Sequence, residues 1–235
     1  MKNLNEFSSE LKKDAQGMHD DCKLQDDAFS VLVRADRHRW IHQTNFAGIP
    51  ALQLPQDLFA IQEIVFKTKP QVIVELGVAW GGTTMFLESF HQGDIIGVDL
   101  QIPDHLRDAT AFKGNIRFLI GDSVLSAEVI KRFVGDRSCM VVVDSMHTHK
   151  HVLEELNAFS DIVTPGCYMV VCDTLVDDPR YHEDGAARNR PWGPGNSPRS
   201  ALNQFLEENP EFERDENIRN KLLFSCQPDG YIYKK

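Results

Sequence analysis

The sequence predicts an α/β protein: a doubly wound, mostly parallel, Rossmann-like sheet with a C-terminal antiparallel β pair. Three observations carry this. Short continuous apolar runs rich in β-branched residues alternate with amphipathic stretches between Val72 and Asp173. Runs without polar alternation suit strands buried on both faces, the environment of a parallel sheet covered by helices. A glycine-rich turn, "GVAWGG", follows the first such run directly. After Asp173 the alternation stops, and short strand-like segments with a Pro-Asp-Gly turn close the chain. Right-handed crossovers between parallel strands then cover both faces of the sheet.

In order, residues 1–40 read as a polar helical extension and 41–235 as one domain. "FSSELKKDAQGMHDD" fits a helix that docks on the body or on another copy of the chain, so a homo-oligomer is an open expectation. Pro55 opens a helix with Leu58, Ile61, Ile64 and Val65 on one face, and Pro70 ends it. "QVIVEL" is a strand and 82–91 a helix. "DIIGVDL" and "IRFLIGD" are strands, and "SAEVIKRFV" is a helix. "SCMVVVDS" is a strand, "KHVLEELNAFSDIV" a helix and "GCYMVVCDT" a strand. The segment 175–199 is charged and rich in Gly and Pro, the composition of a binding loop or lid. "SPRSALNQFLEENP" is a capped helix that Pro210 stops. "EFERDE" and "KLLFSCQ" read as the closing β pair.

Composition narrows the function. The chain has 235 residues, 42% hydrophobic and 26% charged, enough for one α/β core. A formal net charge of -10 argues against nucleic-acid or anionic-membrane binding through a general basic field. The five cysteines are scattered without a CxxC pair, which fits a reducing compartment. No segment reads as a signal peptide or a membrane span, so a cytoplasmic enzyme is expected.

In open α/β sheets, ligands bind beyond the carboxyl ends of the strands. Those ends carry Glu75, Asp99, Asp122, Asp144 and Asp173. One acid there is often only a helix cap. Five repel one another unless a cationic or hydroxyl-rich ligand, or a metal, joins them. The turn has the pattern E-x-G-x-x-x-G-G-T, from Glu75 through Gly77 and Gly81 to Thr83. It lacks the G-x-G-x-x-G that seats a pyrophosphate, which speaks against a nicotinamide-dependent oxidoreductase. It resembles the first motif of class I S-adenosylmethionine-dependent methyltransferases. That resemblance implies cofactor contacts at Glu75, Gly77, Gly81 and Thr83. It also implies ribose contact at Asp99, adenine contact at Asp122 and Ser123, and a contact at Asp144. The plain alternatives are a tight turn and helix caps.

Asp144 and Asp173 end neighbouring strands, so the two carboxylates can meet. Such a pair suits Mg²⁺, which would hold a diol and acidify the hydroxyl to be methylated. The alternative is that Asp144 only contacts cofactor and Asp173 only caps. His147, just past a strand end, suits a general base or a hydrogen-bonded structural role. With His151 and Asp144 it also gives a weaker zinc pattern, without HExxH. His149 reads as solvated.

Longer stretches carry a closer resemblance. "GIPALQLPQDLFAIQEI", "VELGVAWGGTTMFLES", "DSMHTHKHVLEELNAFSDIVTPGCYMVV", "GPGNSPRSALNQFLEENPEFERD" and "LLFSCQPDGYIYKK" resemble the cephalosporin hydroxylase / rhamnosyl O-methyltransferase family over about residues 40–235. The resemblance implies S-adenosylmethionine, usually Mg²⁺ at Asp144 and Asp173, and methylation of a hydroxyl on a sugar, glycan or natural product. Family members often carry Glu before the second Asp, where this chain has Cys172, and a thiol is a poor Mg²⁺ ligand. No 2-His-1-carboxylate iron site accompanies the hydroxylase name. The acceptor is expected under 175–199, with Arg190, Trp192 and His151 as contacts. A non-catalytic S-adenosylmethionine-binding protein is the remaining alternative.

Overall fold

The computed structural model describes residues 3–183 and 188–235. Seven strands form one sheet: β1 Val72–Leu76, β2 Asp94–Asp99, β3 Ile116–Ile120, β4 Cys139–Val143, β5 Tyr168–Val171, β6 Phe212–Arg214 and β7 Tyr231–Lys234. Their order is β3-β2-β1-β4-β5-β7-β6. The first five pair parallel, and β7 runs antiparallel to both β5 and β6. β1 and β4 are buried at every residue, as their unbroken apolar runs require. The chain winds outward from β1 to β3, then returns to lay β4 on the other side of β1. That reversal opens a crevice at the carboxyl ends of β1 and β4.

The helices are α1 Leu4–Asp20, α2 Cys22–Asp36, α3 Pro55–Thr68, α4 Gly82–Glu88, α5 Asp104–Thr110, α6 Ser123–Val134, α7 His149–Phe159, α8 Pro179–Glu183, α9 Pro198–Glu208 and α10 Glu216–Lys221. The first helix starts at a capping box between Asn3 and Glu6 and buries no residue. α2 differs: Ala28, Leu32, Val33 and Asp36 are buried. Leu32 and Val33 join a satellite core with Leu54, Leu175, Val176, Tyr181 and Cys226.

One sequence expectation needs correction, and two elements go beyond the sequence reading. The closing β pair joins Phe212–Arg214 to Tyr231–Lys234, not to the "KLLFSCQ" run. Asp215 caps α10, which extends through Lys221, and Ser225 and Cys226 then turn inward to donate to the buried Asp57 carboxylate. The segment 175–199 contains a 3-10 turn at Thr174–Asp177, α8 and a bridge between Gly193 and Asn196. Its Asp177 carboxylate accepts from Gly195 N and Ser197 Oγ, which supplies the order that composition hides. Residues 184–187 of that segment lie outside the described residues. α5, finally, has no counterpart in the sequence reading.

Candidate functional site

The glycine turn after β1 is shaped by contact. Gly77 has φ +92, and a Cβ there would stand 2.0 Å from the Asp144 carbonyl oxygen. Only glycine permits both the left-handed backbone and that approach. Val78 N and Ala79 N each donate to Asp99 Oδ2 at 2.9 Å, so the acid ending β2 holds the turn. Gly81 begins α4 at φ +91. The Thr83 hydroxyl donates to Ala51 O at 3.0 Å and is committed to backbone. Glu75 is buried and accepts from Thr84 Oγ1 at 2.5 Å. Burial pushes its carboxyl up to about 8 against that hydrogen bond, and the charges of Asp144 and Asp99 add to the rise.

Two cavities meet at this turn and share Gly77, Ala79, Asp144, Ser145 and Trp192. One, of about 390 Å³, is lined by Asp99, Gly121, Asp122, Ser123, Met146 and His151. The other, of about 260 Å³, holds Glu75, Thr83, His147 and Asp173, with His42, Tyr181, Arg188 and Arg190 also on its walls. His151 therefore lines the cavity of Asp99 and Asp122, and Arg190 lines the other. Its Nε2 lies 3.1 Å from Ser123 Oγ and 3.4 Å from the fully buried Glu155. Ser123 and Ser145 both donate to Glu155 Oε1. Asp122 caps α6 through Leu125 N.

Asp144 and Asp173 do approach each other, with His147 between them. His147 Nε2 is 3.3 Å from Asp144 Oδ1, and Nδ1 is 3.2 Å from Asp173 Oδ2. Burial lowers the basicity of this imidazole, but Asp173 and Asp144 outweigh burial and hold it above its ordinary range. Burial likewise pushes Asp173 up to about 6, opposed by His147 and assisted by Asp144. His147 and Asp173 therefore both hold their protons to higher pH than they would in water. The His151-containing zinc pattern is not assembled, since His151 turns to Glu155.

The donor atoms of Asp144, His147 and Asp173 lie within 4.8 Å of one another. Two carboxylates and an imidazole fit a divalent cation that favours oxygen ligands. Cys172 adds no charged ligand: it is fully buried, and burial holds its thiol well above its ordinary range.

Several partners escaped sequence reasoning. Gln53 donates to Asp144 Oδ2 at 2.9 Å; a lone amide in the apolar run "PALQLP" was the available signal. Glu155 shares the helical period of Val152, Leu156 and Phe159, which marks the buried face. His149, expected in solvent, sits 2.8 Å from Ser200 Oγ and 3.0 Å from Gln204 Oε1, tying α7 to α9. Trp192 meets the His147 ring edge-on at 4.9 Å, and the Arg190 guanidinium stands 5.4 Å from the Trp192 ring centre.

A glycine turn after β1, acids at five strand ends and this strand order define the fold of a class I S-adenosylmethionine-dependent methyltransferase. The chain belongs to the Rhamnosyl O-methyltransferase/CmcI family, whose model matches residues 38–235. It is 26% identical over 221 residues to the Rhamnosyl O-methyltransferase of Mycobacterium leprae (strain TN), across 86% of this chain and 91% of that one. It is 23% identical over 220 residues to the Rhamnosyl O-methyltransferase of Mycobacterium bovis, across 87% and 86%. Among solved structures, CmcI with Mg-SAM superimposes with a TM-score of 0.57 at 17% identity, covering 83% of this chain and 77% of that one. CmcI with SAH gives 0.54 at 18% identity, covering 81% and 82%. These two likenesses concern the fold.

Proposed function

We propose that the protein transfers the methyl group of S-adenosylmethionine to a hydroxyl of a sugar, glycan or natural product, assisted by a divalent cation such as Mg²⁺. The observation that carries this reading is the cluster of Asp144, His147 and Asp173 beside the glycine turn, with Asp144 on the wall that the two cavities share. The cavity of Asp99, Asp122, Ser123 and His151 takes the nucleoside. Asp99 Oδ2 accepts twice from the turn, and Oδ1, which among the described residues accepts only from Gln101 N at 3.3 Å, is the atom that accepts from the ribose. Glu75, Gly77 and Thr83 face the amino-acid end from the other cavity, and Gly81 starts α4 beside the Leu106 side chain. Arg190 and Trp192 serve the acceptor. His151, placed with Asp99, serves the nucleoside side instead.

Bound S-adenosylmethionine supplies an electrophilic methyl on a positive sulfur. A cation held by Asp144 and Asp173 would lower the pKa of the acceptor hydroxyl. In the displacement the acceptor oxygen forms the bond to methyl carbon, the carbon–sulfur bond breaks, and its electron pair stays on sulfur. The neutral form of His147 takes the acceptor proton at a ring nitrogen. Asp144 and Asp173 stabilise the imidazolium that results. Gln53 fixes Asp144 from behind. Residues 1–40 are an extension and 41–235 the catalytic domain of a cytoplasmic homo-oligomer. Among the described residues no helix is long and apolar enough to cross a membrane.

The test combines calorimetry with turnover. S-adenosylmethionine should bind and NAD should not, and methylation of rhamnosides should fall in EDTA and return with Mg²⁺ or Mn²⁺. Asp173→Asn should lower turnover far more than cofactor affinity. Full activity in chelator, with Asp173→Asn still active, would refute the metal role. Cofactor binding without turnover on any acceptor would favour a non-catalytic protein.

A further inference from the structure

The cavity that holds the acid pair is lined by acids and bases together: Glu75, Asp144 and Asp173, and Arg188, Arg190 and His42. The basic groups are not equivalent. Arg188 is committed: its Nη2 is 2.6 Å from Asp36 Oδ2 and 2.8 Å from the Asp36 carbonyl oxygen, and Asp36 is fully buried. Tyr181 donates its hydroxyl to the same carboxylate at 2.9 Å. His42 is held below its ordinary range by burial first and then by Arg188, with Asp36 opposing and Arg190 adding.

Arg190 is the exception. It is exposed, and it has no carboxylate partner among the described residues; its guanidinium stands over Trp192. Trp192 in turn touches His147. The cation therefore stands within the sum of two short separations, 5.4 and 4.9 Å, of the proposed base. On a chain of net charge -10, a cation with no carboxylate partner among the described residues makes its stretch of the cavity wall attractive to an anion. An anionic group is attracted to Arg190, while a hydroxyl suits the acid pair. A ligand with both a hydroxyl and an anionic group then has one favoured orientation.

We infer that Arg190 is an oxyanion subsite and that the acceptor is a hydroxylated molecule bearing a phosphate or carboxylate. The anionic group lies on Arg190, the body of the acceptor lies against Trp192, and the hydroxyl to be methylated lies at Asp144, His147 and Asp173. A guanidinium binds either oxyanion through paired N–H donors, which a lysine ammonium cannot reproduce. His42, neutral at neutral pH, offers an uncharged hydrogen-bonding neighbour. This inference rests on the methyltransferase reading and names the substrate class of its acceptor side.

Calorimetry on the full chain saturated with S-adenosylhomocysteine tests it. Three probes of one sugar are titrated: methyl rhamnoside, rhamnose 1-phosphate, and a rhamnoside with a carboxymethyl aglycone. At low salt at least one charged probe should bind tenfold or more tighter than the neutral one, and the better of the two identifies the anion. Raising salt to 0.5 M should shrink that preference several-fold, because screening weakens an exposed pair. Arg190→Gln should abolish the preference and Arg190→Lys should keep part of it. Equal binding of all three probes, or a preference that survives Arg190→Gln, overturns the subsite alone. Failure of S-adenosylhomocysteine itself to bind removes the methyltransferase reading and the subsite with it.

Discussion

Gly77 and Glu75 show how single residues set the site. Alanine at Gly77 would meet the Asp144 carbonyl at 2.0 Å and sit at φ +92. Backbone strain of this kind costs roughly 1–3 kcal/mol before the clash is counted. Gly77→Ala should therefore lower the urea midpoint and weaken S-adenosylhomocysteine binding at least tenfold in calorimetry. Gly135→Ala, with open space around the Cβ, should leave the ligand affinity unchanged. Glu75 makes a pH prediction. Its carboxyl is raised from 4.5 to about 8, so between those values the folded chain binds more protons than the unfolded one. Its contribution is present below pH 4.5 and is lost as pH rises through 8. Melting temperature should fall across pH 6–8, and Glu75→Gln should flatten that slope. An equal slope in the variant would show that Glu75 is ionised in the folded protein. The acid at position 75 was legible in the sequence; its protonation was not, because burial and the Thr84 hydrogen bond are tertiary facts.

At the scale of elements, α3 is joined to the chain entering β7 through Asp57. This buried carboxylate accepts from Ser225 Oγ, Cys226 N and Tyr231 Oη. Burial pushes it up to about 6 against those same hydrogen bonds. Asp57→Ala would leave three buried donors without their acceptor, and each such loss costs about 1–3 kcal/mol. The urea midpoint should drop by an amount equivalent to at least about 3 kcal/mol. A similar drop for Ser225→Ala alone would mean that Asp57 is not the hub. The five parallel strands and most flanking helices were legible because continuous apolar runs and 3.6-residue periods survive in the sequence. The closing β pair was misread because Leu222, Leu223 and Phe224 have strand-like character, while capping by Asp215 and the pull of Asp57 decide otherwise.

Across the whole molecule, the two N-terminal helices do different work. α1 buries nothing and is tied by contacts such as the hydrogen bond from Asn220 Nδ2 to Gln16 Oε1. α2 ends at Asp36, which accepts from Ile41 N, Tyr181 Oη and Arg188 Nη2 and so anchors the Tyr181 and Arg188 wall of the cavity. A chain starting at Asp21 should keep its S-adenosylhomocysteine affinity within about twofold and melt within a few degrees of the full chain, as surface losses usually allow. Asp36→Ala leaves a partly buried Arg188 unpaired, a loss of about 3 kcal/mol. That corresponds to a fall of roughly 6–12 °C in melting temperature for a chain of this size. Calorimetric scans of the two variants side by side check both outcomes; an intact melting point for Asp36→Ala would overturn the anchoring role.

The sequence by itself determined the architecture and the acids that stand at the strand ends. β-branched runs fix the buried strands, and the glycine turn fixes where the Asp144 carbonyl approaches the backbone. Each of these signals is local, written within one strand or one turn. Tertiary structure alone decided that His147 lies between Asp144 and Asp173, that Gln53 supports Asp144, and that His151 turns to Glu155. It also left Arg190 without a carboxylate among the described residues while Arg188 took Asp36. Those pairings join residues as far apart as 152 positions, and no local pattern encodes which acid a given base will meet. They are chosen by the β1/β4 reversal and the satellite core, which bring distant segments together and make burial price each unpaired charge.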